Sequence, residues 1–217
     1  TASQPVVAER TEPIVAPTRS AASPVETKAS SQDDGLPPLT DDSLPAALSD
    51  MNWKVRCQAF DFLTYKLSKL AKDTEVSIDS NAVVNGLDDR IASFMEESNA
   101  MALDKALELA KLYADRCESA GNAEQAARIV RSLLKRNAFS SRPTTLKIAN
   151  EVTLKLMEVG RDGASSVHSV VDVLLNEGLS SKKPKIVQAS ANLILEAAYH
   201  FGASSLPLAS VASSAPK

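Results

Sequence analysis

Aromatic residues are scarce in this chain: they make up 4% of 217 residues, and there is one tryptophan. Aromatic and β-branched side chains favour strands, whereas the abundant Ala, Leu and Val of this chain favour helix layers packed through small and aliphatic side chains. A hydrophobic content of 44% is enough for a sizeable core. The composition therefore predicts an all-α protein.

Cysteine and histidine are equally sparse, with two of each, at Cys57, Cys117, His168 and His200. The cysteines form no CxxC pair, which argues against structural zinc and against a disulfide scaffold. Each histidine stands alone in a predicted helix, and the motifs GxSxG, HExxH, GxxxxGK[ST] and GxGxxG are absent. We therefore expect no enzyme, metal site or cofactor. A hydrolase or transferase would need a deep polar pocket around one of these histidines, and the helical pattern gives no reason to expect such a pocket.

An excess of positive charge is also missing, since the formal net charge is -3. No global basic field is available to hold nucleic acid or an anionic membrane. The sequence has no apolar run long enough to cross a bilayer and no signal-peptide pattern, so we expect a cytoplasmic protein with neither nucleic acid nor membrane as a partner. Two acidic pairs, Asp88-Asp89 and Glu96-Glu97, are predicted to be solvated, because adjacent residues on a helix point in different directions.

Residues 1–36 contain scattered Pro, Ser, Thr and Ala without apolar periodicity. Repeated prolines prevent both a continuous helix and a central strand. We predict a disordered linker or tail over residues 1–36 and a helical domain over residues 37–217.

Helical periodicity begins after an N-cap signal at 41–43, with a short helix near 44–51, a break at Asn52, and a long helix near 53–72. The apolar stripe of this long helix is predicted to contain Val55, Ala59, Phe62, Leu63, Leu67 and Leu70. Three further pairs follow at about 80–119, 122–160 and 164–202, and a fifth pair begins near Ser204. Prolines open two of the second helices, at Pro143 and Pro184.

The breaks inside the pairs fall near Trp53, Asn99, Arg142 and Lys183, at intervals of 46, 43 and 41 residues. A two-helix unit that repeats every 40 to 47 residues is typical of HEAT and armadillo proteins. Such pairs stack into a solenoid with the loops inside the pairs along one edge, which is where a function is expected.

Three of these four loops present a cation, and the first adds the tryptophan. An exposed Trp53 would provide a desolvated anchor for an acidic protein partner, and the basic residues would provide steering and rim charge. In the alternative interpretation, Trp53 packs into the end of the first repeat and the lysines are solvated loop residues.

Four segments carry a family resemblance: NWKVRCQAFDFL, EESNAMALDKALELAKLYAD, SRPTTLKIANEV and SSKKPKIVQASANLILEAAYHFGA. In these segments the chain resembles the TOG domains of the microtubule polymerase family. That resemblance implies a flat paddle of HEAT repeats that binds the α/β-tubulin dimer through one loop edge. Such a domain has six repeats, and we expect about four here, with the start of a fifth.

The resemblance also implies which residues touch tubulin. The first two loops and a basic residue at the third would contact β-tubulin, and the basic fourth loop would reach α-tubulin. The tubulin-binding residues implied on this chain are Trp53, Lys54, Ser98, Asn99, Ala100, Arg142, Lys147, Lys182, Lys183 and Lys185.

The resulting hypothesis is a non-enzymatic, tubulin-binding module of a regulator of microtubule growth, with further TOG domains in the parent chain. It would be located in the cytoplasm on the cytoskeleton, at microtubules, the spindle or a microtubule-organising centre. The alternative is a HEAT or armadillo scaffold for a non-tubulin partner, which would use the concave helix face. Burial of the Trp53 indole would favour that scaffold.

Overall fold

The structure, a computed structural model, describes residues 38–70, 78–116, 122–159 and 164–207. Internal contacts divide the chain into two units, Thr1–Leu36 and Pro37–Lys217, and the account below concerns the second. The predicted disorder of residues 1–36 and most of the predicted fifth repeat lie outside the described residues.

Each predicted helix is present in the described ranges. The eight α-helices are α1 (Leu44–Ala47), α2 (Trp53–Leu70), α3 (Ile78–Phe94), α4 (Ala100–Arg116), α5 (Ala123–Arg136), α6 (Pro143–Glu158), α7 (Ala164–Val173) and α8 (Pro184–Phe201). Short 3-10 turns occupy Ala138–Ser140 and Ala203–Ser205, and α7 continues into a π-turn at Leu174–Gly178. All regular elements within these ranges are helical, which confirms the all-α class.

The second helix of each pair starts in one of two ways. Asparagines precede α2 and α4: the Asn52 side chain accepts the Lys54 amide at 3.0 Å, and the Asn99 side chain accepts the Met101 amide at 2.8 Å. Prolines open α6 and α8, where the missing N–H is one that the first turn would leave unpaired. The asparagine caps and the first-turn prolines both define the residue at which the second helix begins.

The helices form two layers. One layer contains the second helices of the pairs, with α2 against α4, α4 against α6, and α6 against α8; α3, α5 and α7 make the other layer in the same way. Helices α4 and α6 run parallel, because the ion pairs of Asp104 with Arg142 and of Asp115 with Lys155 follow in the same order along both helices. This stacking of helical pairs is the HEAT-repeat solenoid that the period predicted.

The core lies between the layers. Its largest fully buried side chains include Phe60, Leu67, Ile91, Met95, Leu107, Tyr113, Ile129, Leu133, Phe139, Leu156 and Met157. The predicted stripe of α2 was partly wrong: Phe62 is only half-buried beneath the Lys66 ammonium, whereas Phe60 is buried and packs edge-on against Phe94 at 5.2 Å. A helix inside a solenoid is covered by its own pair and by its neighbour, so one stripe does not describe its buried surface.

Gly178 ends the π-turn where α7 meets α8. A Cβ on this glycine would lie 2.2 Å from the hydroxyl oxygen of Ser190 and 2.8 Å from its Cβ. Only a residue without a side chain permits this approach. Gly178 therefore fixes how closely α8, with the lysines before it, packs against the end of α7 in the same repeat.

Candidate functional site

The four loops inside the pairs lie at one edge of the solenoid, because every second helix begins there. We call this surface the loop edge. It consists of the first loop (48–52), the second loop (95–99), the third loop (137–142) and the fourth loop (179–183), with the first residues of α2, α4, α6 and α8.

Trp53 is the first residue of α2, and 37% of its surface is exposed. Met51, in the loop before it, is 99% exposed. The observation that would have favoured a generic scaffold, an indole buried among Phe60 and Phe62, is therefore not found. Two large apolar side chains instead reach solvent at the start of α2, beside the exposed Lys54.

The second loop presents Ser98, Asn99 and Ala100 at the start of α4. Ser98 and Ala100 are exposed, and Asn99 is half-buried because its side chain caps the helix. The next residue, Met101, is half exposed. Because Asn52 and Asn99 cap α2 and α4 in the same way, Trp53 corresponds to Ala100 in the adjacent repeat, and Lys54 corresponds to Met101.

An ion pair joins the first two loops. The Arg56 guanidinium donates from Nε and Nη2 to the two carboxylate oxygens of Glu97, at 2.6 and 2.7 Å, and from Nη1 to the carbonyl of Asp50 at 2.6 Å. The Glu97 side chain is only 7% exposed and that of Arg56 13%. The prediction of a solvated Glu97 was therefore wrong, because its partner comes from the neighbouring repeat, 41 residues away.

Burial alone would raise the pKa of Glu97. The hydrogen bonds that its carboxylate accepts from Arg56, and from the Asn99 amide at 2.7 Å, outweigh burial and hold this pKa below its ordinary value of 4.5. The hydrogen bond to Glu97 in turn raises the pKa of Arg56. Both groups are charged across the neutral range.

Two more arginines reach the second loop. Arg136, at the end of α5, donates to the backbone carbonyls of Glu97 and Ser98. Arg142, the N-cap residue of α6, donates to the Ala100 carbonyl at 3.1 Å and forms an ion pair with Asp104. The guanidinium of Arg142 also contacts the sulfur of Met101 at 3.5 Å. This residue thus joins the second and third loops while 39% of its side chain is exposed.

The predicted lysines differ in their surroundings. The Lys183 ammonium donates to the Asn137 side chain at 2.7 Å and so joins the third and fourth loops. Lys182 and Lys185 are exposed and form no ion pair with any residue that the structure describes. Lys147 lies on α6 and is 78% exposed, with the Glu151 carboxylate 3.9 Å away. The fourth loop therefore offers unpaired positive charge to a partner.

A depression of about 460 Å³ opens beside the first two loops. Leu48, Phe60 and Phe94 give it apolar walls, and Arg90 and Glu96 give it charged ones. The loop edge accordingly combines projecting apolar side chains with a recess of mixed polarity.

Sequence reasoning missed Met51 and Met101 as exposed apolar residues and Glu97, Arg56 and Arg136 as the groups that join the loops. A signal existed for Met51, which is a long apolar residue placed in a predicted break. No local signal existed for the three joining groups, because each finds its partner about 40 residues away.

The histidines lie apart from the loop edge. His168 is half-buried in α7, and His200 borders a groove of about 400 Å³ with Leu154 and Phe201. The charged groups of that groove pair with one another, as in Lys111 with Glu151 at 2.7 Å. No cluster of metal-binding residues occurs in the described ranges, and no helix there has the length and apolar character to cross a bilayer.

Comparison with known proteins identifies the fold family. The sequence model for "XMAP215/Dis1/CLASP, TOG domain" matches residues 40–217. Centrosomal protein 224 of Dictyostelium discoideum is 28% identical over 166 residues, which are 76% of this chain and 8% of that protein, and no solved structure matches. TOG domains are tubulin-binding modules of microtubule-associated proteins. The chain belongs to the XMAP215/Dis1/CLASP family of TOG domains.

Proposed function

We propose that residues 40–217 bind the α/β-tubulin dimer through the loop edge. The observation that carries the proposal is the exposed indole of Trp53 at the start of α2, in one row with the second loop and the basic fourth loop. Tryptophan side chains supply a large part of the binding energy at protein interfaces, and rim cations accelerate encounter with an acidic partner.

The proposed contact set is the one that the sequence implied. Trp53, Lys54, Ser98, Asn99 and Ala100 form its apolar and polar centre. The cations Arg142, Lys147, Lys182, Lys183 and Lys185 follow along the loop edge. Of these, Arg142 and Lys183 have internal hydrogen-bond partners, so they contribute to the surface both by charge and by holding adjacent loops together.

A binding role without catalysis, in a regulator of microtubule growth, follows from this proposal. The chain spans 8% of the relative named above, whose name places it at centrosomes. We infer a cytoplasmic role at microtubules, the spindle or a microtubule-organising centre, alongside further TOG domains in the parent chain. Linked domains would raise the effective tubulin concentration without any new contact.

The test is a binding titration of purified tubulin against the wild type and Trp53→Ala. Losing a central aromatic anchor is expected to weaken binding by about 30-fold, which corresponds to roughly 2 kcal/mol. Tyr199→Ala is the matched control, because Tyr199 is an exposed aromatic residue near the far end of α8. Equal affinities of wild type and Trp53→Ala would refute binding through the loop edge.

The alternative, a scaffold for a non-tubulin partner, makes the opposite prediction in the same titration. Such a protein would bind no tubulin, and its affinity for its own partner would respond to changes on the helix face rather than at Trp53. The exposure of the Trp53 indole favours the loop edge over the helix face.

A further inference from the structure

The second loop is held from both neighbouring repeats at once. Arg56 from α2 binds the carboxylate of Glu97, Arg136 from α5 binds the carbonyls of Glu97 and Ser98, and Arg142 binds the carbonyl of Ala100. Three arginines thus donate to the Glu97 carboxylate and to the backbone carbonyls of Glu97, Ser98 and Ala100. Arginine suits this task because its planar fork offers several donors in a fixed arrangement.

Glu97 is the centre of this arrangement. Its carboxylate accepts two hydrogen bonds from Arg56, one from the Asn99 amide at 2.7 Å and one from the Ser98 hydroxyl at 3.3 Å. A buried carboxylate is costly unless its lone pairs are satisfied in this way. The conformation of residues 97–99 is therefore tied to the position of α2.

The same guanidinium extends the connection to Trp53. Arg56 Nη1 donates to the carbonyls of Asp50 at 2.6 Å and Met51 at 3.1 Å, in the loop that leads into α2. Glu97 holds Arg56, Arg56 holds the first loop, and Trp53 follows that loop directly. The first and second loops of the proposed tubulin surface consequently depend on one buried carboxylate.

We propose that Glu97 is a positioning residue for partner recognition, which sets the relative arrangement of the Trp53 loop and the Ser98–Ala100 segment without itself touching the partner. The identity of the partner as tubulin rests on the function proposed above; the arrangement of the loops does not. A surface that is already ordered before binding loses less conformational entropy in the complex, so loosening it lowers affinity.

The first test is Glu97→Gln, which keeps the shape of the side chain and removes its charge. We expect tubulin binding to weaken about tenfold, which corresponds to the ordering of one or two side chains and their loops. The matched control is Glu158→Gln. Glu158 is the last residue of α6, away from the loop edge, and its exposed carboxylate pairs with Lys155 at 3.1 Å, so its loss is expected to leave affinity unchanged.

A second readout is independent of tubulin. Trp53 is the only tryptophan in the chain, so the fluorescence of the free protein reports on that loop alone. Glu97→Gln is expected to shift the Trp53 emission to longer wavelength and to lower its anisotropy while the helical circular dichroism stays that of the wild type. Glu158→Gln is expected to change neither signal.

If Glu97→Gln does not fold, Arg136→Met serves in its place, with Arg131→Met as its control on the same helix. Arg136 holds the second loop, whereas Arg131 forms an exposed pair with Glu177 at 2.8 Å. Arg136→Met is expected to weaken tubulin binding, and Arg131→Met is not.

The outcomes separate the two proposals. If the wild type does not bind tubulin, the proposed function fails, and the fluorescence of Glu97→Gln still tests the arrangement of the loops. If Glu97→Gln leaves the Trp53 emission and anisotropy at their wild-type values, the positioning role is wrong. It is also wrong if those signals change while tubulin affinity does not.

Discussion

Arg56 and Glu97 lie 41 residues apart in the chain, and two hydrogen bonds of 2.6 and 2.7 Å join them across adjacent repeats. Both side chains are largely buried. The pair connects the start of α2 to the loop before α4, which are the two places where exposed apolar side chains occur on the loop edge. Its energetics can be examined without any partner protein.

Replacing one member of this pair should cost far more stability than replacing both. Arg56→Met leaves a buried, charged Glu97 without its partner, and we expect a loss of about 3 kcal/mol in the free energy of unfolding. Arg56→Met with Glu97→Leu should cost about 1 kcal/mol or less, because the uncompensated charge is gone. Urea unfolding of the single and double variants measures the difference.

The control is Lys105→Met. Lys105 pairs with Asp61 between the same two repeats, but about half of each side chain is exposed. Exposed pairs contribute about 0–1 kcal/mol, so this variant should stay close to the wild type. A cost for Arg56→Met as small as that for Lys105→Met would contradict the burial argument.

Glu97 should also give stability a specific dependence on pH. Its folded-state pKa lies below its ordinary value of 4.5, so its contribution is fully present above that value and is lost as the pH falls through the folded-state pKa. Glu97→Gln lacks this contribution. We therefore expect its free energy of unfolding to fall less steeply below pH 4.5 than that of the wild type.

Urea unfolding across this acidic range, with Glu96→Gln measured in parallel, isolates the contribution of Glu97. The Glu96 variant retains the buried pair and should follow the wild type. The attribution to Glu97 fails if the Glu96 and Glu97 variants lose stability at the same rate as the pH is lowered.

Local periodicity was sufficient for the helices and the repeat. The apolar residues of α4 recur at steps of three and four, the pattern of a helix with one buried face, and Ala102, Leu103, Ala106, Leu107 and Ala110 are all buried. Pro143 and Pro184 open α6 and α8 as predicted. These features depend on residues within one or two turns of each other, which a single sequence displays directly.

The contacts between repeats could not be predicted in the same way. Glu97 looked like one member of a solvated acidic pair because its partner is absent from its own helix. Phe60 lay outside the predicted stripe because its cover comes from Phe94 in the other layer. The predicted tubulin-contacting residues, from Trp53 to Lys185, remain a prediction that binding measurements must test.

Gly178 provides a test of how closely the last two helices pack. Gly178→Ala would place a methyl group against Ser190, and we expect a loss of about 1–3 kcal/mol despite the better helix propensity of alanine. Gly86→Ala is the control: Gly86 lies in α3 with nothing within 4 Å of the added carbon, so this variant should be stabilised by roughly 0.5–1 kcal/mol.

Thermal or urea unfolding of both alanine variants gives the comparison. Gly178→Ala should cost less stability in a Ser190→Gly background than in the wild type. The reason is that Ser190→Gly removes the two atoms that would clash with the new methyl group. The absence of such coupling would show that α8 does not depend on this contact.

The charge of the fourth loop should act on the rate of association more than on the lifetime of the complex. Lys182 and Lys185 are exposed, so removing them discards steering charge and no packing. We expect Lys182→Ala with Lys185→Ala to slow association with tubulin severalfold at low salt and to approach the wild-type rate at high salt. Stopped-flow association at several salt concentrations measures both effects.

Net charge alone must be separated from charge position in that experiment. Lys69→Ala with Lys105→Ala removes the same number of cations from the bodies of α2 and α4, where both lysines are exposed. If the loop edge is the binding surface, this control pair should retain more of the wild-type association rate than the fourth-loop pair. Equal slowing by the two double variants would show that only total charge matters, and it would remove the fourth loop from the proposed contact set.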